Sequence, residues 1–130
     1  MKQKLVLILT IITVLGACKK DKPEPEISLK GKWTLENAIV KDYEKGILID
    51  EVNEPGDGTT YDFQDNGHLV ITSPSFPIES VPYTINPGSK ANIDGDIVDI
   101  QNLSASKVTL YFKDDYGQGD YVEIFLKLKR

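Results

Sequence analysis

The chain has 130 residues, a net charge of −5 and a sequence pI near 4.8. That length holds one domain. The acidic balance repels phosphate backbones, which excludes nucleic acid as a partner. A single cysteine, Cys18, excludes an internal disulfide and leaves no cysteine pair for a structural zinc site.

Lys2 and Lys4 open the chain as a short positive segment, followed by the apolar run Leu5 to Leu15. A bilayer-spanning helix takes about 20 residues, so this shorter run reads as the apolar part of a secretory signal. Leu15-Gly16-Ala17-Cys18 follows at once, with small residues where a peptidase must close on the backbone. This pattern resembles the lipobox of bacterial lipoproteins. The resemblance implies removal of residues 1–17, acylation of Cys18 and a membrane as partner through that lipid. Removal takes Lys2 and Lys4 away and deepens the net charge from −5 to −7.

Residues 18–28 (CKKDKPEPEIS) read as a tether, because Pro23 and Pro25 favour extended chain and block a helix. Ten residues past the cysteine reach about 33–36 Å when fully extended. Lys19, rather than aspartate, follows the cysteine, and no acidic run comes next. By resemblance to other lipoproteins, these features imply the outer membrane and a domain that faces the periplasm.

From residue 29 to 130 the chain reads as strands separated by Gly, Pro, Asn and Asp. The first strand is predicted over Lys30 to Val40. Asp42 to Gly58 is then a long connection, read as a lid or an extra edge strand. Thr59 to Gln64 and His68 to Thr72 form a hairpin about Asp65-Asn66-Gly67. Val81 to Ile85, Ala91 to Asp94 and Ile97 to Leu103 follow. Lys107 to Lys113 alternates cleanly, Asp114 to Gly119 reads as a polar loop, and Tyr121 to Lys129 is the last strand. The expected fold is all-β, an antiparallel up-and-down barrel of about eight strands.

Gly31-Lys32-Trp33 and Phe63-Gln64-Asp65-Asn66-Gly67 then stand in the order of a Gly-x-Trp signature and a Phe-x-x-x-Gly hairpin. With the lipobox, they resemble the lipocalin-like domains of small bacterial lipoproteins. The chain lacks the Thr-Asp-Tyr type motif and cysteine pair of longer lipocalins, so the resemblance extends to the barrel more than to a deep calyx. It also directs attention to Arg130. Counting by two from Val122 through Leu128 reaches Arg130, which then stacks on Trp33 as a structural cap, or ends the chain solvated.

No catalytic constellation stands out. His68 is the only histidine and has no serine elbow beside it. Asp94-Gly95-Asp96 and Asp114-Asp115 match no calcium-loop spacing and read as turn residues. Paired carboxylates for glycoside chemistry are not singled out, and no glycine-rich phosphate cradle is present. The chain is therefore expected to be a non-enzymatic protein without cofactor or metal. The candidate ligand residues are Phe76 and Ile78, which line a barrel mouth, contact a partner, or fold back to plug the core. Tyr43 and Tyr116, with Ile47 to Ile49, are placed on the same rim. Two functions compete: a tethered binder of a small apolar ligand, and a packed barrel whose loops meet an envelope protein.

Overall fold

Alternating apolar and polar residues dictate where this chain pairs with itself. The computed structural model describes residues 27–130. The expected signal segment 1–17, the expected lipid anchor Cys18 and the expected tether as far as residue 26 lie outside the described residues. Nine strands follow in chain order: β1 (Gly31–Glu44), β2 (Ile47–Pro55), β3 (Thr60–Phe63), β4 (His68–Thr72), β5 (Glu79–Asn86), β6 (Lys90–Ile93), β7 (Asp96–Gln101), β8 (Lys107–Gly117) and β9 (Asp120–Lys129).

All pairings are antiparallel. β1 pairs with β3 along one edge and with β9 along the other, which closes β1 and β3 to β9 into an eight-stranded barrel. β2 lies outside that ring. The edge of β1 is divided: Gly31–Thr34 face β3, and Asn37–Glu44 face β2. At the division Glu36 bulges, because the register against β9 shifts between Leu35 and Asn37. Gly56 crosses the strand here and donates its N–H to the Glu36 carbonyl at 2.8 Å. A Cβ on Gly56 would stand 2.0 Å from the Leu35 carbonyl oxygen, so glycine alone fits.

The long connection takes the edge-strand form, one of its two readings, and one expected loop is also a strand. β1 continues to Glu44, and the connection Asp42 to Gly58 becomes the edge strand β2 after a tight turn at Lys45-Gly46, both with positive φ. Asp114 to Gly119 is likewise not a loop. β8 runs on to Gly117 and turns at Gln118-Gly119, again with two positive φ values. Pairing with β9 overrides the polar composition of this stretch. The two hairpin tips meet, with the Gly46 N–H donating to the Gly119 carbonyl at 2.8 Å. β2, β1, β9 and β8 thus extend past the barrel as a four-stranded apron.

One end of the barrel is packed solid. Leu29, Trp33, Phe63, Tyr83, Val108 and Leu128 fill it. Trp33 is fully buried, and its Nε1–H donates to the Leu29 carbonyl at 2.7 Å. The Tyr83 hydroxyl donates to the Gln64 carbonyl at 2.6 Å, and its ring meets Phe63 edge-on at 5.1 Å. Arg130 covers this end, its Cζ 4.0 Å from the Trp33 ring centroid, as the parity of β9 anticipates. Among the described residues, the nine strands and the buried core lie between Leu29 and Lys129.

Candidate functional site

Following the strands away from Trp33, the inward positions stop meeting across the barrel. Leu69, Ile71, Val98, Leu110, Phe112 and Leu126, with Tyr61, Ile93 and Asp96, surround an open cavity of about 250 Å³. A dry apolar cavity of about 150 Å³ accepts one benzene ring, so this one has room for a ring with a short alkyl arm. Asp96 is the one charged group in the lining. Tyr61 brings a phenol whose pKa burial raises, with the nearby Asp57 charge adding to the shift, so it stays protonated and available as a donor.

The apolar lining continues onto the apron. Directly opposed residues share a face, and the next row inward reads Val52, Val40, Ile124 and Phe112. The row beyond reads Asp50, Asp42, Val122 and Asp114. An apolar trough therefore ends in three aspartates. A smaller depression of about 200 Å³ adjoins the cavity, sharing Tyr61 and Ile71 with it and adding Phe76, Pro77, Thr59 and Asp57. Thr59 is buried and donates both its hydroxyl and its N–H to Asp57 Oδ1. The hydroxyl bond is the larger cause holding the Asp57 carboxyl below its usual range.

The candidate ligand residues do not assemble as the sequence suggested. Phe76 and Ile78 are 70% and 69% exposed, so neither plugs the core. β5 starts at Glu79 opposite Ile71, which leaves the Ser73 to Ile78 loop at the rim. Phe76 lines the smaller depression, and Ile78 lines neither opening. Tyr43 points away from the mouth because the bulge at Glu36 reverses the parity of β1. It stacks on Tyr121 at 4.4 Å on the outer face. Tyr116 stands 68% exposed near the β8–β9 tip. Sequence reasoning singled out none of the nine residues that line the cavity, Tyr61, Ile93, Asp96 and Phe112 among them. Phe112 was legible as the outermost inward position of an alternating strand, whereas Asp96 carries no apolar signal.

Among the described residues, no three His, Cys, Asp or Glu side chains gather to hold a metal ion. His68 is exposed opposite Pro82 at the start of β4. The chain matches no protein-family model, no curated protein and no solved structure.

Proposed function

We propose that this chain is a lipid-anchored, lipocalin-like barrel whose open end binds a small apolar ligand without chemistry. The observation that carries the reading is the apolar cavity of about 250 Å³ opposite the end that Arg130 and Trp33 close. Cys18, in its lipobox, supplies the membrane anchor, and residues 19–28 supply the spacer. Asp96 within the lining and Asp42, Asp50 and Asp114 beyond it favour a neutral or cationic ligand over an anionic one.

The test is native mass spectrometry of the protein from residue 18 onward, made with Cys18→Ser and purified from cell extract. A bound small molecule is expected. Leu110→Trp, which fills the cavity, should abolish retention of it and binding of the neutral probe n-propylbenzene. A ligand-free protein that also ignores the probe would sink the carrier reading. Exposed Phe76 and Ile78 favour a second reading, contact with an envelope protein through the rim. In that case Phe76→Ser with Ile78→Ser should leave probe binding intact and break the partner contact.

A further inference from the structure

Between Ile27 and Arg130 the chain carries ten basic and seventeen acidic side chains, yet one face runs against that balance. The outer face of β1, β9 and β8 is read row by row from their register. Thr34, Lys129 and Lys107 form the row nearest the closed end. Asn37, Lys127 and Thr109 follow, then Ile39, Phe125 and Tyr111, then Lys41, Glu123 and Lys113. Lys32 extends the face at its lower edge, since it neighbours inward-facing Trp33 and pairs with Asp62. Six of the ten basic residues thus share the outer face of these strands, against Glu36, Glu123 and Asp115, of which Glu36 pairs with Lys107 at 3.6 Å and Asp115 with Lys113 at 3.7 Å; Asp62, Glu51 and Asp99 flank the face on β3, β2 and β7.

The aromatic row is ordered. Tyr111 and Phe125 pack at 5.0 Å, and Lys41 lies 5.4 Å from the Phe125 centroid. The Tyr111 hydroxyl donates to Glu123 Oε2 at 2.7 Å; burial first, and then this bond, pushes its pKa up to about 12. Lys113 stands 4.0 Å from the Tyr121 centroid. Below this row a groove of about 260 Å³ is walled by Lys107, Lys127, Thr109, Asn102 and Glu36 over Val108 and Leu128. Lysines that frame half-buried aromatic rings make the composition of a membrane-interface surface.

The chain's path supplies the orientation. Arg130 Nη2–H donates to the Ser28 carbonyl at 3.1 Å, so the described chain begins at the closed end, beside the lysine rows. Eight residues stand between Cys18 and Ile27, and the nine steps of chain reach about 30–32 Å when extended. We propose that the outer face of β8–β9–β1 docks on an anionic lipid surface, with headgroup phosphates in the Lys107–Lys127 groove and the Tyr111–Phe125 row at the headgroup boundary. This rests on the lipid-anchor reading only for the presence of a membrane nearby. The mouth then opens at the end of the barrel away from the Lys107–Lys129 row.

The test uses the chain from residue 18 with Cys18→Ser, so that no lipid contributes, and reads partitioning onto vesicles. Binding is expected to vesicles of phosphatidylglycerol with phosphatidylcholine, to weaken with salt, and to be lost on phosphatidylcholine alone. Lys107→Glu with Lys127→Glu should reduce binding by more than about tenfold. Lys45→Glu with Lys90→Glu makes the same change of net charge elsewhere and should alter binding by less than about twofold. Melting temperatures and Trp33 fluorescence check that both variants fold. Equal losses in the two pairs, or no preference for the anionic vesicles, would overturn the proposal. Membrane association of the native chain that vanishes with Cys18→Ser reports on the anchor separately.

Discussion

Arg130 holds three loop carbonyls and one indole ring at once. Its Nε, Nη1 and Nη2 hydrogens go to Ala105, Lys30 and Ser28 at 3.0, 2.7 and 3.1 Å, and its plane covers Trp33. Gly31 makes room for this: its φ is +107°, and a Cβ there would approach Arg130 Nη1 to 3.1 Å. The Gly-x-Trp pattern thus has a local cause, a tryptophan to be covered and a glycine that lets the cover in. Arg130→Ala should shift Trp33 fluorescence and lower stability by about 1–3 kcal/mol, read by thermal melting. Arg130→Lys keeps the charge but loses the planar fork, so it should fall between. If neither fluorescence nor melting temperature moves in Arg130→Ala, the cap contributes nothing. The family resemblance implied a basic cover over Trp33 and strand parity picked out Arg130 for it, whereas the three carbonyls depend on loops whose paths parity does not set.

β1 is the element on which the architecture turns, because one of its edges serves two strands. Gly56 marks the hand-over, and its missing side chain is what lets the β2–β3 connection cross the Glu36 bulge. Gly56→Ala should cost about 1–3 kcal/mol through overpacking, seen as a lower urea midpoint at an unchanged slope. A variant as stable as the parent would mean that the crossing relaxes freely. The same bulge shows where sequence reading stops. β4 was legible to the residue, His68 to Thr72, because Leu69 is buried while His68 and Thr72 are exposed. β2 was legible only as one of two readings, an edge strand or a lid, because all nine of its residues are exposed and a strand wet on both faces needs no alternation. Tyr43 was misplaced for a related reason. One inserted residue flips every later side chain, and a bulge leaves no mark in composition.

At the scale of the whole molecule, a dry end and an open end share one barrel. Lys32, Lys107, Lys127 and Lys129 crowd toward the dry end, whereas Asp42, Asp50, Asp96 and Asp114 surround the open one beside Lys41 and Lys113. The apron adds backbone pairing but little burial. Amide hydrogen exchange should therefore divide the chain, with β2 exchanging on the order of tenfold faster than β4 and the lower half of β8. Equal protection would mean that the apron and the barrel open as one unit. The ring itself closes between β1 and β9, and Arg130 reaches back to Ser28 across 102 positions. On a growing chain, β1 and β2 are adjacent in sequence and pair early, while the other edge of β1 stays unmatched until β9 has been made. Closure of that seam is the longest-range event in the fold, and it places refolding among the slow, millisecond-to-second class of β-proteins.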